Sequence, residues 1–255
     1  MNRKSFFRAI AFCLLSATVI SGCKKEVVGP DGAQGPAGPA LTGTVNGHIY
    51  LYDQYGNPIL TGLVGIHDSI DGTSNVAHTD STGMYVFSNL STGIYNFTVM
   101  DSAFGTMKVQ SQQFVGGGTL VRNINLSKIP SFNVSSLTAV ASATNITLTG
   151  TVTADTHVRT FIVFVGATNA ASASPSTYLD YYTKNVPANG TSFTINVDNT
   201  ALYNLGLTTT TTAYFAAYGA ASGYNSTSTY EDLTTGRTVF NAISPTFASA
   251  NAVVQ

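Results

Sequence analysis

The chain has 255 residues, of which 9% are charged and 44% hydrophobic, with a formal net charge of −1 and no tryptophan. It has no basic cluster, which argues against a nucleic-acid partner. Its two cysteines both lie near the N-terminus, which excludes a disulfide framework in the body.

Residues 1–22 read as a processed leader. Arg3, Lys4 and Arg8 precede Ala9 to Ile20 (AIAFCLLSATVI), an apolar run of 12 residues, shorter than the ~20 a spanning helix needs. Ile20-Ser21-Gly22-Cys23 then resembles the bacterial lipobox. That resemblance implies cleavage before Cys23, a diacylglycerol on its sulfur and a further acyl chain, of the palmitate kind, on its amine. One acyl chain binds membranes only marginally, whereas several on one residue make a lasting anchor. Loss of the leader removes three basic residues and leaves 8 against 12 acidic ones, a net charge of −4. The expected location is the bacterial outer membrane, facing the periplasm or the cell surface. A mature length near 230 residues suggests two domains.

Residues 23–41 read as anchor and spacer. Gly29 to Ala40 (GPDGAQGPAGPA) is four collagen-like triplets, too few for a stable triple helix. An extended polyproline II spacer on a monomer is expected, reaching some 35 Å at roughly 3.1 Å per residue.

Residues 42–129 alternate apolar and polar residues at a period of two, with frequent turn signals. Expected strands are Val45–Tyr52, Gly62–His67, Ser74–Thr79, Met84–Phe87, Ile94–Met100, Lys108–Phe114 and Leu120–Leu126. Tyr55-Gly56-Asn57-Pro58 and Asp80–Gly83 read as turns, and Asp71-Gly72 as a two-residue hairpin turn. The string Thr79-Asp80-Ser81-Thr82-Gly83-Met84-Tyr85-Val86-Phe87, followed by Leu90, Gly93 and Tyr95, resembles the carboxypeptidase regulatory-like repeat. So does the opening with Gly47, Asp53, Gly56, Asn57 and Pro58. The resemblance implies a prealbumin-like sandwich, a folding module without peptidase chemistry. Asp80 is expected to cap its turn, and Gly83 to supply a backbone angle other residues resist.

Residues 130–255, entered through Pro130, also alternate without a helical period. Strands are expected at Leu137–Ala141, Asn145–Thr153, Val158–Val165, Tyr178–Lys184, Ser192–Val197, Thr212–Ala220 and Thr235–Ile243. Asn145–Gly150 and Thr212–Gly219 resemble strands of immunoglobulin-like or fibronectin type III-like domains, without the usual core tryptophan. The expected fold class is therefore all-β, with two consecutive antiparallel β-sandwich domains behind a lipoprotein signal peptide and a Gly/Pro-rich spacer.

Candidate chemistry is sparse. The four histidines, His48, His67, His78 and His157, have no nucleophile motif beside them, and Glu26 and Glu231 are the only glutamates. No enzyme and no cofactor are expected. His67 and His78 share one face of the expected hairpin, but two ligands lack the third a zinc site needs, so no metal is expected. Asp68, Asp71 and Asp80 lack the ordered spacing of a calcium loop and read as turn residues. Asp68-Ser69-Ile70, Asp80-Ser81-Thr82 and Asp101-Ser102-Ala103 resemble Bacteroidetes O-glycosylation sites, marking Ser69, Ser81 and Ser102 as acceptors in turns. Adjacent Tyr181 and Tyr182 place one ring outward, a platform for a sugar or protein. The expectation is a non-catalytic envelope protein that binds a protein or glycan. The alternatives are a structural spacer or adhesin component, and an accessory subunit of polysaccharide uptake.

Overall fold

A computed structural model of the chain describes residue 38 and residues 41–222 and 229–255. The chain divides into two compact units, Met1–Pro39 and Ala40–Gln255. The leader, Cys23 and, apart from Gly38, the Gly/Pro triplets lie outside the described residues, as do Tyr224 and Asn225. Ala40–Gln255 is all-β and builds two sandwiches.

In the N-terminal sandwich one sheet is centred on β1 (Thr42–Tyr52). The two-residue β2 (Pro58–Ile59) and β5 (Met84–Ser91) pair with it antiparallel, while β8 (Thr119–Val121) and β9 (Ile124–Ser127) run parallel to it. The second sheet is antiparallel, in the order β4 (Val76–His78), β3 (His67–Ile70), β6 (Gly93–Asp101) and β7 (Gly105–Phe114). Val45, Ile49, Leu51, Tyr85, Phe87, Phe97 and Val99 fill the space between the sheets. Each such side chain contributes roughly 1.5–3 kcal/mol on burial.

Leu120–Leu126, expected as one strand, is two. The chain breaks step at Arg122-Asn123, where the Arg122 carbonyl presses onto Gly47 so closely that a Cβ there would overlap it. Tyr85 Oη donates to that same carbonyl at 2.7 Å, and Asn123 Oδ1 accepts from His48 N at 3.0 Å. Gly62–His67 is also a correction: the strand starts at His67, because the turn before it is held by Thr79 Oγ1, which donates to Leu63 O and accepts from Ile66 N at 2.9 Å.

The C-terminal sandwich packs the sheet β10 (Val134–Ala141), β11 (Asn145–Val152), β14 (Ser192–Asp198) against the sheet β13 (Asp180–Val186), β12 (Arg159–Gly166), β15 (Thr212–Ala220), β18 (Ala248–Val253). Phe161 takes the central aromatic position, 5.4 Å from Phe193 and 5.5 Å from Phe132. Three elements depart from expectation. A short helix, α1 (Asn199–Asn204), follows β14, started by Asp198, which accepts from Thr200 N at 2.6 Å. Edge strand β18 extends the second sheet, and a hairpin of β16 (Thr229–Asp232) and β17 (Arg237–Phe240) lies outside both sheets. Phe240 of this hairpin packs on Phe164 and Tyr181, at 5.4 and 4.8 Å, and so roofs the outer face of β12.

Candidate functional site

The turn Gln54–Asn57 of the N-terminal sandwich is built to project. Asp53 accepts from Tyr55 N at 2.9 Å and from Asn57 N at 2.8 Å, so the turn closes on its own carboxylate. Burial is the largest single influence and pushes that carboxyl up, but its hydrogen bonds with Asn57 and Tyr55 together outweigh it and leave the group below the usual range. The closed turn delivers Tyr55 to the C-terminal sandwich. Its ring lies flat on His157 at 4.0 Å and stands 6.1 Å from Phe132. Its hydroxyl donates to Asp155 Oδ2 at 2.8 Å. Gln54 completes the clasp: its backbone carbonyl accepts from Ser222 N at 3.0 Å, and its Oε1 accepts from Ser131 N at 2.7 Å.

Beside this clasp a cleft of about 270 Å³ is lined by Ser131, Phe132, Asn133, Thr153, Asp155 and Arg159. Asp155 accepts from His157 N and from Tyr55, which hold its carboxyl down to about 2. Arg159 is buried, its guanidinium donating to Thr153 O and, at 2.7 Å, to Gly190 O, while its Nε has no partner. The cleft thus brings together a carboxylate, an amide and an aromatic ring beside a buried guanidinium already engaged by two carbonyls, a polar lining suited to a polar ligand. Sequence reading placed the joint at Lys128–Ser131 alone. The turn at Tyr55–Pro58 was legible in sequence but its docking role was not, because nothing local distinguishes a docking turn from a solvated one.

The residues singled out from sequence fall in different surroundings. Asp80 is a turn residue, accepting from Thr82 N and Met84 N at 2.8 and 3.0 Å, and Gly83 has φ +82°. Asp71 also sits in a turn, but that turn has four residues, because Ile70 N donates to Asn75 O and His67 pairs with His78 directly. Asp68 is not a turn residue: it lies in β3 facing the core with 0% exposure. Ser69 is in the same strand, its hydroxyl donating to Thr98 O at 3.2 Å, whereas Ser81 and Ser102 are exposed in turns. The expected tyrosine platform is absent from β13, since Tyr181 packs under Phe240 and Tyr182 against the inter-sheet core. Among the described residues no three of His, Cys, Asp and Glu are grouped to hold a metal. No described helix is long and apolar enough to cross a membrane.

No protein-family model matches the chain, and no curated protein matches it, so the two family resemblances rest on the residues quoted for them. Solved structures do overlap it. A candidate carbohydrate-binding protein of Bacteroides uniformis ATCC 8492 aligns over 85% of this chain and 100% of its own, at 18% identity and a TM-score of 0.33. A DUF3823 family protein of Parabacteroides merdae ATCC 43184 aligns over 80% and 98%, at 13% identity and a TM-score of 0.29. The minor pilin GBS52 of Streptococcus agalactiae aligns over 38% and 49%, at 17% identity and a TM-score of 0.29. Overlaps of this quality carry no argument about ligand or partner.

Proposed function

We propose that this chain is a non-catalytic, lipid-anchored envelope protein that binds a glycan or protein in the cleft of its C-terminal sandwich beside the joint. The observation that carries this reading is the joint: a clasp centred on Tyr55 holds the sandwiches together beside a polar cleft lined by Asp155, Arg159 and Asn133. Ligand sites favour such domain junctions, and here the Tyr55 hydroxyl of one sandwich fixes the Asp155 carboxylate at the cleft of the other. The lipobox at Ile20–Cys23 supports attachment to the outer membrane, and the repeat-like residues around Asp80 and Gly83 support a carboxypeptidase regulatory-like N-terminal sandwich.

A glycan array together with pull-down from envelope extracts tests the binding reading. Saturable binding that is lost in Asn133→Ala supports it. Saturable binding to neither glycan nor protein overturns it in favour of a structural spacer, which the tightness of the Tyr55 clasp also suits. Membrane fractionation of Cys23→Ala tests the anchor separately, because unchanged membrane association removes the lipid from the account.

A further inference from the structure

Three donor side chains stand in one row on the outer face of the β4-β3-β6-β7 sheet. His67 of β3 lies directly opposite His78 of β4 on one side and directly opposite Met100 of β6 on the other. Directly opposed residues in an antiparallel sheet share a face, with Cβ atoms about 4.5–5.5 Å apart. Their chain neighbours Asp68, Ala77 and Val99 are buried in the core, so the row itself faces outward. His78 is exposed, and Met100 is 44% exposed. The imidazoles of His67 and His78 stand edge to face with centroids 5.5 Å apart. His67 Nδ1 is shut off from solvent and meets no hydrogen-bonding group, which leaves a ring nitrogen with no partner in the fold.

We propose that His67, His78 and Met100 form a binding site for a soft monovalent cation, copper(I). Two imidazole nitrogens and one thioether are a three-coordinate set of that softness. Calcium and magnesium would need oxygen ligands, and zinc prefers a fourth nitrogen, sulfur or carboxylate donor. The row has none to offer: it continues only to Thr106, opposite Met100 on β7. Asp71, in the turn beyond the adjoining Ser69–Thr98–Lys108 row, is already engaged, by Thr98 Oγ1 at 2.6 Å and Lys108 Nζ at 3.9 Å. The central strand is paired on both sides, so the ladder sets the spacing of the donors before any ion arrives. A thioether has no proton to lose, so the two imidazoles alone must be neutral for binding.

Anaerobic competition against a chromogenic copper(I) chelator tests the site, on the full chain with Cys13 and Cys23 alkylated so that no thiol competes. Wild type is expected to withdraw one copper(I) per chain. Met100→Leu is expected to weaken copper(I) binding by about tenfold or more while leaving weak zinc(II) binding unchanged, since a neutral thioether is a good ligand for the soft ion and a poor one for zinc. His78→Gln is expected to weaken both. Both positions are surface-facing, and unchanged thermal unfolding of each variant confirms that the sheet is intact. Failure of wild type to hold copper(I) against the chelator, or retention by Met100→Leu at wild-type strength, overturns the proposal.

Discussion

Asp68 is a carboxyl group held inside an apolar core, on a strand where sequence reading expected a turn. Desolvation pushes it up to about 7, and the Ser69 amide lies near enough to offset a little of that without a well-formed hydrogen bond. Between about pH 4 and 7 the unfolded chain therefore loses a proton that the folded chain keeps, and stability falls as pH rises through that window. The slope is roughly 1.4 kcal/mol per unit at its steepest. Urea unfolding from pH 4.5 to 7.5 is expected to show this fall in wild type and a flattened profile in Asp68→Asn; a rise with pH in wild type would falsify the buried acid. The carboxyls that accept turn hydrogen bonds, Asp53, Asp80 and Asp232, are all held low and act only below this window. Two of the turn roles were legible in sequence. Asp80 caps, and Gly83 carries a positive φ that Gly83→Ala would strain, bringing a Cβ within 2.9 Å of Ile49 O as well. That variant is expected to lose roughly 1–3 kcal/mol in chemical denaturation, while the nearby Val86→Thr, on the exposed side of β5, loses far less.

At the scale of elements, period-two alternation located most strands because most have one wet face. It also located β12, expected at Val158–Val165, but gave no sign that all eight residues Arg159–Gly166 are buried, on both faces. One face looks into the sandwich through Phe161, Val163 and Val165, and the other is covered through Ile162 and Phe164 by Tyr178, Tyr218 and Phe240. The cover is a third layer built from the 167–179 loop and the β16–β17 hairpin, fastened where Tyr178 Oη donates to Thr238 O at 2.5 Å and Arg237 lies over the Tyr178 ring. Phe240→Ala is expected to cost about 3–5 kcal/mol and to open Phe164 and Tyr181 to solvent. Hydrogen exchange along β12, faster in the variant, reads this out; unchanged exchange there assigns the hairpin no covering role. The same layer explains why the tyrosine platform did not materialise. A pair of adjacent tyrosines reads as one ring in and one ring out, and sequence shows no sign that the outward one is roofed.

For the whole molecule, the turn at Gln54–Asn57 binds one sandwich to the other through Tyr55, Asp155 and His157. Tyr55→Ala removes the stacking and the hydroxyl together. It is expected to split calorimetric unfolding into two transitions and to broaden the small-angle scattering envelope. A single transition at the wild-type temperature places the coupling elsewhere. By itself the sequence determined the all-β class, the position of most strands, and the turn that Asp80 caps before Gly83. These follow from local rules, in which alternation, turn chemistry and short motifs act within a few residues of themselves. Tertiary structure alone decided that β8 and β9 lie parallel to β1, that Asp68 is buried, that Tyr55 docks on His157, and that Met100 stands level with His67. Each of these depends on strand register and on packing between residues tens of positions apart, and a one-residue shift in register would turn every side chain of a strand to the opposite face.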